Sequence, residues 1–166
     1  GGMTTHPAVL VEWTDRLALG VDEIDRQHYE LVAILNDLHA AMSDGRDHES
    51  VAWSIGALTA YTKFHFGFEE KLLARHGYAD LHAHTLEHRM FVRTLSDFKV
   101  AYAEGTAGLS LSLMAFLGDW LEHHIMGTDR RWVPAVAMQD VRDLIGESVV
   151  DITSGTSGLS ASPTVM

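Results

Sequence analysis

Histidine is the residue type that stands out in this 166-residue chain: there are 11 of them and no cysteine. Several lie within apolar patterns. His28 falls between Ile24 and Leu31, His65 and Glu69 between Leu58 and Leu72, His84 and His88 ahead of Phe91, and His124 after Trp120. Imidazole with carboxylate suits iron, zinc, copper or manganese. Thiolate sites, disulfides and thiol nucleophiles are excluded without cysteine. A single core histidine is most simply a hydrogen-bonded packing residue, and one His-x-x-x-His pair is expected by chance about once in such a chain. Agreement between segments argues for more. His65/Glu69 and His84/His88 each share one helical face, and that face is the apolar one. Buried ionisable groups are costly unless paired or bound to metal. With Asp129, five residues beyond His124, the candidates number seven, more than one coordination shell takes, which points to two ions.

Four helices would have to position them. Ile24, His28, Leu31, Leu35, Leu38 and Met42 recur at spacings of four and three, with Asp22 a candidate N-cap and Gly45 a stop. The same rhythm runs from Val51 to His76 ahead of Gly77, from His84 to Tyr102 ahead of Gly105, and from Leu109 to His124. Short loops between helices of this length predict an all-α, antiparallel up-down-up-down four-helix bundle over residues 21–135. Residues 1–20 lack a sustained period and predict an extended strap anchored by Trp13, with Gly1-Gly2 before Met3 set aside as a cloning scar. A further short helix is expected over 136–147. Ser, Thr and Gly predict a flexible tail over 148–166.

Composition narrows the partners. Hydrophobic residues make up 46% of the chain, enough for a core, and the formal charge is −11. Such a surface disfavours nucleic acid and anionic membranes, and the largest basic patch visible in the sequence is Arg130-Arg131. No apolar run has the ~20 residues of a membrane-spanning helix, and no leader is read at the N-terminus. A cytoplasmic monomer is the expectation.

The run Trp13-Thr14, Gly20, Ile24-Asp25-Arg26-Gln27-His28, then His65-Phe66-Gly67-Phe68-Glu69-Glu70, His84-x-x-x-His88 and Trp120-Leu121-x-x-His124-Ile125-x-x-x-Asp129 resembles the single-domain bacterial hemerythrins. The resemblance spans roughly residues 10–135, with the motifs in order. It implies a non-haem pair of iron ions, cycling between ferrous and ferric, with an oxo or hydroxo bridge. One ion would take His84, His88 and His124, the other His28 and His65, and Glu69 and Asp129 would bridge them. That division closes six positions on the first ion and leaves one open on the second, where dioxygen would bind. The resemblance also implies an apolar oxygen pocket of Trp120, Ile125 and Met126, with Phe66 or Leu31. Members of the family more often have Leu where Met126 sits.

The function so implied is reversible oxygen binding for storage, delivery or sensing, and not catalysis. The alternatives are a di-iron oxidase or peroxidase, or a protein handling nitric oxide or iron. Oxygen-activating di-iron enzymes carry more carboxylates and Glu-x-x-His motifs. One spacing stands apart. His124 and Asp129 are five residues apart, which in a regular α-helix turns them about 140° from each other. The helix must distort or end there, and Gly127 is the residue with backbone freedom to allow it. Of the other histidines, His6, His39, His48, His82 and His123 are expected to face solvent, and His76 to serve packing or the surface.

Overall fold

The four periodic segments are helices in the computed structural model, which describes the backbone of residues 9–156 and side chains through residue 148. They are α1 (Asp22–Ser43), α2 (His48–His76), α3 (Leu81–Ala103) and α4 (Ala107–His123). Consecutive helices pack as antiparallel neighbours, and α4 closes back on α1. The described residues contain no strand.

Local chemistry sets the helix ends. Asp47 caps α2 by accepting the Ser50 N–H at 2.8 Å. Gly77 ends the same helix at φ 70°, a left-handed conformation that a side chain would strain. The start of α1 differs from the expectation. Asp22 is its first residue, Val21 holds the cap position, and no side chain caps the helix. Asp25 accepts the backbone N–H groups of Leu19 at 2.7 Å and Gly20 at 3.0 Å, tying strap to helix.

Over its described residues, 9–20, the strap has no regular element apart from one 3-10 turn at Asp15–Leu17. Val11 and Leu17 are its buried anchors, while Trp13 is half-buried and meets Tyr29 edge-on at 5.4 Å. Asn36 of α1 takes both backbone groups of Val11, at 2.9 and 2.8 Å. Gly118 lets the strap lie against α4: a Cβ there would come within 2.9 Å of Leu10 Cγ.

After α4 the chain runs through a π-helical stretch, His124–Asp129, one short turn at Arg130–Trp132 and a 3-10 turn at Val133–Ala135. A fifth helix, α5 (Met138–Thr156), follows. It is longer than the helix expected over 136–147 and continues past Ser148, where composition suggested a flexible tail. Val141 and Leu144 are buried against Trp132, Leu72 and Leu73, so packing of the first turns stabilises a helix that its polar residues alone would not. Residues 157–166 of that expected tail, and residues 1–8, lie outside the described residues. No helix among the described residues is long and apolar enough to cross a membrane.

Two apolar clusters fill the bundle. The larger includes Leu31, Leu35, Leu58, Phe91, Phe98 and Leu117; the second includes Ile24, Leu72, Leu73, Trp132 and Leu144. In α1 and α2 the candidate ligands fall in sequence between members of the two clusters: His28 between Ile24 and Leu31, and His65 between Leu58 and Leu72.

Candidate metal centre

Seven buried side chains converge between the helices. Glu69, His84, His88, His124 and Asp129 offer ligand atoms that all lie within 4.8 Å of one another, and so do His28, His65, Glu69 and Asp129. α1 supplies His28, α2 supplies His65 and Glu69, α3 supplies His84 and His88, and the π-helical stretch supplies His124 and Asp129. None is more than 4% exposed.

Each carboxylate belongs to both groups and divides its oxygens between them. Glu69 Oε1 is in contact with His84 Nε2 and lies 3.4 Å from His88 Nε2, whereas Oε2 lies 3.2 Å from His65 Nε2 and 3.7 Å from His28 Nε2. Asp129 Oδ1 lies 3.3 Å from Nε2 of both His84 and His124, and Oδ2 lies 3.2 Å from His28 Nε2. All five imidazoles therefore turn Nε2 inward. Glu69 Oε2, Asp129 Oδ2, both ring nitrogens of His28 and Nδ1 of His84 and His88 are buried without a hydrogen-bond partner. Native interiors seldom leave such groups unsatisfied, and each orphan costs about 1–3 kcal/mol. The inward-facing orphans among them, Glu69 Oε2, Asp129 Oδ2 and His28 Nε2, fit a cluster built to hold metal.

Outer partners orient some of the rings. His65 Nδ1 meets Gln27 Oε1 at 2.9 Å, and Glu23 Oε1 accepts from Gln27 Nε2 at 3.0 Å. His124 Nδ1 meets Glu87 Oε2 at 2.8 Å, and the same oxygen accepts the Thr128 hydroxyl at 2.7 Å. Holding Nδ1 as the donor leaves Nε2 free to ligate. Trp132 donates its indole N–H to Asp129 Oδ1 at 3.2 Å.

Electrostatics follow from this crowding. Burial alone would lower His28 and His84, but hydrogen bonds and charge from Asp129 and Glu69 outweigh it and raise them to about 9 and about 10. His65 is lowered by burial. Burial pushes Glu69 up, yet its polar neighbours hold it well below the usual carboxylate range. Asp129 falls to about 2, because His124 prevails over burial and the adjacent Glu69. Protonated imidazoles thus balance two buried carboxylates, and cations arriving at the cluster would displace those protons.

How two residues five apart at the end of the fourth helix share a face is resolved by π-helical geometry. There each N–H bonds to the carbonyl five residues back, so His124 and Asp129 stack on one side. Gly127 needs no special conformation for this. It is exposed, lacks a positive φ, and a Cβ added to it would meet nothing within 4 Å. The expected distortion is present; the expected reason for it, glycine freedom, is not.

The apolar candidates gather as well. Leu31, Phe66 and Ile125 are buried in the larger cluster, and Trp120 and Met126 pack against it half-buried. Phe66 stacks on His88 at 3.9 Å and Trp120 on His124 at 4.4 Å. Of the remaining histidines, His48, His82 and His123 are exposed, His39 is half-buried, and His6 lies outside the described residues. His76 is exposed, with Nδ1 3.7 Å from Asp140 of α5. Glu87, Thr128 and Trp132 are not among the sequence candidates, and Gln27 enters there only within a motif, with no role of its own. Glu87 and Gln27 each precede a candidate ligand directly, but that alone carries no signal.

The chain is similar to known proteins. The profile described as the Hemerythrin HHE cation binding domain matches residues 19–136. The bacteriohemerythrin of Pseudomonas aeruginosa (strain UCBPP-PA14) is 36% identical over 143 residues, covering 86% of this chain and 89% of the relative. That of Methylococcus capsulatus (strain ATCC 33009 / NCIMB 11132 / Bath) is 30% identical over 129 residues, covering 77% and 98%. A crystal structure of wild-type hemerythrin superposes with a TM-score of 0.68 at 30% identity, covering 76% of this chain and 97% of that one. With a matched profile over most of its length and relatives of this identity and coverage, the chain belongs to the hemerythrin family.

Proposed function

We propose that the chain binds dioxygen reversibly at a pair of iron ions. The observation that carries this reading is the division of the Glu69 and Asp129 oxygens between a three-histidine group and a two-histidine group. A carboxylate shared in this way suits a bridge between two cations. His84, His88 and His124 would hold one ion, and His28 and His65 the other. When bound, a ferrous pair would supply the electrons by which dioxygen is held reversibly.

The protein's own contribution is orientation and exclusion of water. Gln27 and Glu87 fix the rings of His65 and His124 through Nδ1. Trp132 holds Asp129 from behind. The two-histidine side has one ligand fewer, so it is the side that would take dioxygen. Leu31, Phe66, Trp120, Ile125 and Met126 form the surrounding apolar wall in this reading. A dry wall disfavours charge separation, and so retains neutral dioxygen rather than releasing it as superoxide.

Binding is favoured over oxidase or peroxidase chemistry by the ligand balance, five histidines to two carboxylates. The carboxylate-rich sites of oxygen-activating di-iron enzymes carry more negative charge to support oxidised iron. The decisive experiment is metal analysis with absorption spectra taken anaerobically, in air and again under vacuum. Two irons per chain and a band that appears in air and vanishes under vacuum support the carrier. Rapid turnover of a reductant with peroxide would replace it with the enzyme.

A further inference from the structure

The sequence shows no basic patch beyond Arg130-Arg131, yet the fold assembles one. Two adjoining cavities of about 540 and 190 Å³ lie between α2 and α3 and share Lys63, Val92 and Ser96, forming a single groove. Lys63, Arg89, Arg93 and Lys99 line it. They are four of only 12 lysines and arginines in a chain of charge −11. Among the described residues none of the four has a carboxylate within 4.0 Å, whereas Arg26, Arg46 and Arg75 are paired. Glu70 is the one acidic residue lining the groove.

The floor is apolar with isolated polar atoms. Phe66 and Leu95 are buried there, and Val92 is exposed along the wall. Thr62 Oγ1 and His88 Nδ1 are buried at the floor without hydrogen-bond partners. Gly67 keeps the groove open from α2. A glycine inside a helix is destabilising relative to alanine, and Gly67 has neither a positive φ nor a close neighbour to require it. A Cβ there would meet only open space. An apolar floor, a few convergent polar atoms and a volume of this order are the usual features of a small-molecule site.

We propose that the α2/α3 groove binds a ring compound carrying a phosphate, a ligand of the nucleotide class. Arg89 and Arg93 are one turn apart on α3 and present two guanidinium forks to one dianion, with Lys63 across the groove. A flat ring would lie on Phe66 and Val92 in the space beside Gly67. Thr62 and His88 offer hydrogen bonds to its polar edge. The groove opens between α2 and α3 and meets the proposed oxygen wall and the candidate metal centre only through its floor, where Phe66 belongs to the wall and His88 to the centre.

The test is binding of flavin mononucleotide and adenosine monophosphate to the full chain, by fluorescence quenching and calorimetry, with riboflavin, adenosine and inorganic phosphate as controls. At least one nucleotide should saturate below 1 mM, at least tenfold more tightly than its phosphate-free counterpart and than phosphate alone. Arg89→Gln with Arg93→Gln should weaken it at least tenfold while iron content and helicity stay unchanged. Gly67→Leu, which fills the groove without altering charge, should do the same. If neither nucleotide saturates by 1 mM, or if both variants bind as the parent does, the groove is not such a site. The readout needs no oxygen chemistry, so its failure would leave the reading of the metal centre untouched.

Discussion

The indole of Trp132 donates to Oδ1 of Asp129 across 3.2 Å, with both residues fully closed to solvent. The donor and acceptor are three residues apart, on either side of the junction where the π-helical stretch ends. One side chain thus holds the carboxylate on which both histidine groups depend. Trp132→Phe keeps most of the buried ring and removes the hydrogen bond. Retention of the proposed iron pair against a chelator is expected to weaken by about 10–100-fold, as is typical when an outer partner of a ligand is lost. Unchanged retention would mean that Asp129 is held by the backbone alone.

Gly127→Ala tests what maintains the π-helical stretch. The position is exposed and its φ is compatible with any residue. Alanine should stabilise the protein by about 0.4–1 kcal/mol through a less flexible unfolded chain. The midpoint of thermal unfolding should rise, with the metal content of the parent retained. A variant that loses iron would restore the role for glycine freedom.

Leu31 is fully buried, one helical turn beyond His28. Leu31→Ala should cost about 2–5 kcal/mol of stability, the range for a buried leucine that leaves a cavity. In the proposed carrier it should also speed loss of the oxygenated form, because water gains entry to the wall. Denaturant titration reads the first effect and decay of the absorption band in air the second. A large loss of stability with unaltered decay would remove Leu31 from the oxygen pocket.

Tyr61 gives a pH dependence independent of the metal centre. Burial raises its phenol to about 12, with a smaller opposing pull from Arg26. Its hydroxyl is buried without a hydrogen-bond partner. The folded state therefore keeps the proton where the unfolded chain, near pH 10, loses it. The sign is negative: this group's contribution to stability is present below about pH 10 and declines as pH rises towards 12. Ultraviolet titration of the four tyrosines should show one ionising late, and Tyr61→Phe should remove that late step.

Helical period made much of the protein legible beforehand. A spacing of three and four reports which side of a helix is buried, so His28, His65, Glu69, His84, His88 and His124 could be placed on inward faces from the sequence alone. The five-residue step from His124 to Asp129 also showed that the helix had to deviate there, since α-helical rotation is a fixed quantity. What period does not report is which residue of another helix meets that face. The pairing of Gln27 with His65, of Glu87 with His124 and of Asn36 with Val11 each spans at least 25 residues of sequence. Such pairs are decided by how helices rotate and slide against one another as the core packs. The same packing seats the first turns of α5 through Val141 and Leu144, and draws Lys63 together with Arg89 and Arg93 on an otherwise acidic chain. Sequence thus determined the residue types and the inward direction of the candidate centre. Only the tertiary structure decided that each of two carboxylates would turn one oxygen towards the three-histidine group and the other towards the two-histidine group, because that division depends on the relative placement of four helices.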